Sequence, residues 1–119
     1  MILGVGVDLV DLTRFENKLE SNQALARRLF TEKELAAKTQ SLAGYFAAKE
    51  AAIKAFGHSN GVSFQELEIH KDELGKPELV LSGNTLDVAT KAGISEWHLS
   101  ISHDGGMAIA MVIAEGEMR

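Results

Sequence analysis

The chain has no cysteine, a single proline and no apolar run long enough to span a bilayer. Without cysteine there is neither a disulfide frame nor a thiolate zinc site, and nothing points to secretion. Basic residues are also in short supply, 12 against 17 acidic ones for a net charge of −5, which argues against general nucleic-acid binding. Met1-Ile2-Leu3-Gly4-Val5 lacks a basic start and reads as a strand rather than a signal peptide. The expectation is therefore a cytoplasmic protein with no nucleic-acid or membrane partner. At 119 residues, 45% of them hydrophobic, the chain suffices for one real core and one domain, 1–119.

The few cations are unevenly spread. Arg14, Lys18, Arg27, Arg28 and Lys33 all lie in the first third, so an acidic chain carries a local basic patch suited to an acidic partner or to phosphates.

The stretch from Leu42 to Gly57 organises the rest. Ala, Leu, Lys and Glu dominate it and no proline interrupts it, so it reads as one helix stopped by Gly57. At about 100° per residue, Leu42, Phe46 and Ile53 share a side with Lys49, Glu50 and Lys54, while Ala48, Ala51, Ala52 and Ala55 lie opposite. Two arrangements satisfy this pattern. The alanine side packs on a sheet while the charged chains snorkel to solvent, or the helix lines a polar pocket with a carboxylate and two ammonium groups aimed into it.

Before the helix, residues 2–10 alternate as a strand, with Leu3, Val5, Val7 and Leu9 on one face and Gly4, Gly6 and Asp8 on the other. Two glycines beside an acid admit either a packed helix or a ligand close to Asp8. Asp11 can cap a helix carrying Leu12, Phe15 and Leu19 inward. A second helix runs from about Ala24 to Phe30, and Thr31-Glu-Lys-Glu34 is a capping box opening a third. After the central helix come an extended run from Val62 to Ile69, a turn ending at Pro77 and a return strand to Leu81. Asn84 is placed to cap a helix over Thr85 to Lys91. A last hairpin has Trp97, Leu99 and Ile101 on one side, a turn at His103-Asp-Gly-Gly106, and an apolar return strand from Met107 to Ala114 that suits a central position. This order predicts an α+β fold: a largely antiparallel sheet with a long central helix and several short helices packed on it.

Taken together, Gly4-Val-Gly6-Val-Asp8, Arg14, Phe46-Ala-Ala-Lys49-Glu50-Ala-x-x-Lys54-Ala-x-Gly57 and His98-Leu-Ser100-Ile-Ser102-His103 resemble the holo-[acyl-carrier-protein] synthases, the small single-domain class of 4′-phosphopantetheinyl transferases. The resemblance covers nearly the whole chain, and Lys-Glu-Ala-x-x-Lys-Ala is its most specific part. It implies transfer of phosphopantetheine from coenzyme A to a serine of an apo acyl carrier protein, releasing adenosine 3′,5′-bisphosphate. It further implies that Asp8 and Glu50 are metal ligands for Mg²⁺, with the glycines beside Asp8 leaving room for metal and pyrophosphate, and that Lys54 stabilises or protonates the leaving group.

By the same resemblance Lys49, Lys54, Gly57, Ser102 and His103 belong at the coenzyme A, Lys49 and His103 as phosphate or nucleotide contacts. Arg14, joined by Arg27 and Arg28, faces the acidic carrier. The base is left open, a metal-bound water or hydroxide being one choice. The resemblance also implies a homotrimer with active sites at subunit interfaces. Two departures stand out. Tyr45 occupies a position that is commonly Arg, and the segment from Ser21 to Ala24 is poorer in basic residues than usual.

Overall fold

Strand β1 (Ile2–Asp11) runs directly into helix α1 (Leu12–Ser21), because the Asp11 carboxylate accepts the Arg14 backbone N–H at 2.9 Å and caps the first turn. The computed structural model describes residues 1–118. Two short helices follow, α2 (Gln23–Leu29) and α3 (Glu32–Leu35), the second opened by the expected capping box between Thr31 and Glu34. The central helix α4 spans Thr39–Phe56 and ends at Gly57, whose φ of 88° is the left-handed conformation that glycine adopts without strain. A 3₁₀ turn (Phe64–Glu66) occupies part of the expected extended run and leads into the hairpin β2 (Leu67–Lys71) and β3 (Pro77–Leu81). Helix α5 (Gly83–Lys91) and the hairpin β4 (Ile94–Asp104) and β5 (Met107–Gly116) complete the order.

The α+β expectation holds, with every strand pair antiparallel, but the strands form two sheets rather than one: β1-β5-β4 and β2-β3. Strand β5 is central to the larger sheet, as its apolarity suggested. Its inner residues Ala108, Ala110, Val112 and Ala114 are fully buried beneath α4. Small residues on both surfaces let helix and sheet approach closely. A Cβ on Gly6 would stand 1.8 Å from the Ala51 carbonyl oxygen, and one on Gly4 1.9 Å from that of Ala55. The space over Gly4 and Gly6 is thus filled by the helix backbone. The expectation that these glycines leave room for metal and pyrophosphate is corrected.

The opposite face of the same sheet is uncovered. Val5, Val7 and Leu9 of β1 and Ile109 and Met111 of β5 are between 41% and 60% exposed. Two further expectations change. His103 is not in the turn; it pairs with Ala108 inside the ladder, and Gly105 and Gly106, both at positive φ, make the two-residue connection. Asn84 does not cap α5. Its side-chain amide donates to the Gly61 carbonyl, and the Glu66 carboxylate reaches across to accept the backbone N–H groups of Asn84 and Thr85. Those bonds, the Thr85 hydroxyl foremost, hold the Glu66 carboxyl below its usual pKa.

Candidate active site

Because α4 lies tight against β1, its residues Phe46, Glu50 and Lys54, spaced four apart, reach the free edge of the sheet beside Asp8. The Lys54 ammonium donates to the Val7 carbonyl at 3.0 Å and to Asp8 Oδ1 at 3.1 Å. Asp8 and Glu50 line one cleft of about 470 Å³. Burial first, and then the adjacent Asp8 carboxylate, push the Glu50 carboxyl above its usual pKa, while Lys54 pulls it back. Two carboxylates side by side in one cleft can together hold a cation. With only two protein oxygen ligands, the pair fits Mg²⁺, which retains water and phosphate oxygens in its shell.

The cleft has a charged rim and an apolar floor. Arg14, Lys18 and Arg28 stand on the rim. Phe15, Phe46 and Phe64 form the floor, the first two stacked with centroids 5.5 Å apart and the last two at 6.1 Å. Sequence reasoning identified Arg14 and Arg28 but not the part of Phe64, which lies in a segment read as extended. Arg27 is not on this rim; it faces a separate depression beside Phe30 and Gln65.

Lys49 is where the expectation fails. Its side chain is 0% exposed, and its ammonium donates to the Leu29 carbonyl (2.8 Å), Glu34 Oε1 (2.7 Å) and the Phe64 carbonyl (2.8 Å). All three N–H bonds are used inside the protein, so none remains for a phosphate. Burial draws its pKa below that of an ordinary lysine, against the opposing pull of the Glu34 carboxylate. Helical periodicity placed Lys49 near Glu50, yet the residues are about 100° apart around the axis, enough to turn one inward and the other into the cleft.

The remaining candidates lie elsewhere. His103 faces α4 from β4, its Nε2 donating to the Gln40 carbonyl at 2.9 Å. It lines a smaller cavity of about 150 Å³ with Ser41, Tyr45 and Lys71. The Lys71 ammonium lies 5.8 Å from the centre of the Tyr45 ring, so a cation stands beside Tyr45. Nothing in the local sequence of β2 marked Lys71. Ser102 is on the uncovered sheet face beside Ile109 and lines neither cavity. Gly57 is exposed, and its backbone angle accounts for the glycine. Among the described residues, Glu96, His98 and Glu115 form a group of three potential metal ligands within 4.8 Å, on the uncovered face and apart from Asp8 and Glu50.

Known proteins resemble the chain in sequence and in fold. The sequence pattern of the 4′-phosphopantetheinyl transferase superfamily matches residues 4–112. A holo-[acyl-carrier-protein] synthase of Leifsonia xyli subsp. xyli is 50% identical over 115 residues, covering 97% of this chain and 98% of the relative. One from Clavibacter sepedonicus is 46% identical over 117 residues, covering 98% of each. Among solved structures, the holo-[acyl-carrier-protein] synthase of Neisseria meningitidis superposes with a TM-score of 0.90 at 37% identity, over 97% of this chain and 99% of that one. The Helicobacter pylori enzyme in complex with coenzyme A gives 0.83 at 32% identity, over 93% and 99%. The chain belongs to the 4′-phosphopantetheinyl transferase superfamily, in its holo-[acyl-carrier-protein] synthase branch.

Proposed function

We infer that this protein transfers 4′-phosphopantetheine from coenzyme A to a serine of an apo acyl carrier protein, with Asp8 and Glu50 as the ligands of a magnesium ion. The observation that carries the reading is the convergence of these two acids in one cleft floored by aromatic rings, with Lys54 bonded to Asp8 at its edge. In the reaction the serine hydroxyl gives up its proton to solvent as its oxygen bonds to the phosphorus that bears pantetheine. The bond from that phosphorus to the bridging oxygen breaks, and adenosine 3′,5′-bisphosphate departs with the electron pair. A magnesium ion, when bound, offsets charge on the transferring and departing phosphates.

The chain's own groups divide the remaining work. Lys54 is 54% exposed at the cleft edge, free to exchange Asp8 for the departing phosphate and stabilise it. The floor of Phe15, Phe46 and Phe64 suits the uncharged pantetheine arm. Arg14, Lys18 and Arg28 give the rim the charge that an acidic carrier recognises. His103 and Lys71 meet a phosphate of coenzyme A in the smaller cavity.

The working form is a homotrimer of single-domain chains with a site at each boundary. The uncovered apolar face of the three-stranded sheet supports self-association. So does the separation of the two cavities: Asp8 is on β1 and His103 on β4, at opposite edges of the sheet, with α4 lying between them. Two copies side by side can join what one chain keeps apart. The absence of cysteine supports a cytoplasmic setting, and among the described residues no helix is long and apolar enough to cross a membrane.

Intact-mass measurement of an apo carrier protein incubated with coenzyme A, Mg²⁺ and this protein tests the reading. The expected result is a gain of one phosphopantetheine, absent with Asp8→Asn. No gain with the unaltered protein overturns the activity, whereas full transfer by both Asp8→Ala and Glu50→Ala removes the metal assignment alone.

A further inference from the structure

Lys49 sits one residue before the cleft acid Glu50, yet does not itself line the cleft. A buried ion pair contributes little to stability beyond what well-packed apolar chains of the same volume supply, so the reason for an ammonium here lies in which groups it joins. Three short elements meet at this point, α2, α3 and the 3₁₀ turn, and none continues another's hydrogen-bond ladder. The Lys49 ammonium takes the Leu29 carbonyl at the end of α2 and the Phe64 carbonyl of the turn. Its partner Glu34 takes the Thr31 N–H (2.9 Å) and the Ile69 N–H (2.8 Å). The Gln65 side-chain amide then ties the same two elements a second time, donating to the Arg27 and Phe30 carbonyls at 2.6 Å each.

The elements joined in this way are the far wall of the cleft. Leu29 and Phe64 line it directly, and Arg28 adds its charge to the rim. Helix α2 has only seven residues, too few to hold its own orientation. Its end is set by the side chains that bind its last carbonyls.

We propose that Lys49 is a positioning residue for the protein substrate: from behind the cleft wall it fixes the end of α2 against the Phe64 turn, and so sets where Arg28 and Leu29 meet the carrier. This rests on the transferase reading and adds a role for a residue that contacts neither coenzyme A nor metal. The neutral double substitution Glu34→Gln with Lys49→Met removes the ammonium and leaves no buried carboxylate unpaired. In steady-state transfer assays it raises the KM for the carrier about tenfold, the equivalent of about 1.4 kcal/mol, with the KM for coenzyme A unchanged.

A purely structural role predicts something different: a smaller folded fraction, hence a lower kcat with both KM values unmoved. A phosphate contact predicts a rise in the coenzyme A KM. Either result overturns the proposal. Gln65→Ala, at an exposed position, releases the second tie without disturbing the buried pair, and serves where the double variant does not fold. A raised carrier KM in that variant supports the proposal, and an unchanged one overturns it. Absence of transfer by the unaltered protein is the separate failure of the transferase reading.

Discussion

The Lys54 ammonium bonds Asp8 Oδ1 at 3.1 Å and the Val7 carbonyl at 3.0 Å, linking the central helix to the first strand across the edge of the sheet. The contact exists because Gly4 and Gly6 admit the helix backbone where any Cβ would collide with it. Chemistry at Asp8 and packing at the glycines are therefore one arrangement, and disturbing either is measurable in the other.

Gly6→Ala forces a methyl group to within 1.8 Å of the Ala51 carbonyl oxygen, a backbone atom that cannot swing aside. Overpacking of this kind costs roughly 1–3 kcal/mol. The expected outcome is a lower urea midpoint together with weakened transfer, since α4 must move away from Asp8. An unchanged midpoint would show that the helix is not seated on these glycines.

Glu50→Gln separates stability from function. The folded pKa of Glu50 is raised, so folding binds a proton there that the unfolded chain releases. Its contribution to stability is therefore most favourable below the unfolded value near 4.5 and diminishes as pH rises through the folded pKa. The glutamine lacks this loss. In EDTA, its urea midpoint gains on that of the unaltered protein as pH rises from the unfolded value near 4.5 through the folded pKa, while transfer with Mg²⁺ is abolished. A gap that narrows with rising pH sinks the assignment.

Val7→Asp places a charge on the uncovered sheet face, where Val7 is 45% exposed beside Met111, itself 44% exposed. A surface change in a monomer costs little. If this face joins copies, sedimentation shifts to monomer and transfer falls steeply, with circular dichroism preserved. A trimer that persists in the variant would place the boundary elsewhere.

Lys71→Ala removes the cation above Tyr45. Loss of one charge-assisted bond to phosphate, on the order of 1.5–3 kcal/mol, raises the KM for coenzyme A at least about tenfold and leaves the carrier KM as it was. Equal KM values for coenzyme A in the two proteins would exclude the smaller cavity from substrate binding.

Much of the molecule was legible in the chain. The Asp11 cap, the Thr31–Glu34 capping box and the stop at Gly57 are local devices, each closed within a few residues, and all three stand as read. The spacing of Glu50 and Lys54 on one helix, and of Gly4, Gly6 and Asp8 on one strand face, follows from helical and strand periods alone. What lies opposite each face does not follow. Lys49 finds Glu34 across 15 positions and Leu29 across 20, and Lys71 of the two-stranded sheet finds Tyr45 on the central helix.

The sequence by itself determined which residues can act and which of them share a face, because those properties arise from side-chain chemistry and backbone period. Only the tertiary structure decided that Lys49 turns inward while Glu50 faces the cleft, that the glycines receive a helix rather than a ligand, and that the apolar face of β1 is left bare. Each of these depends on how closely two distant segments approach, and that distance is set by the volumes packed between them.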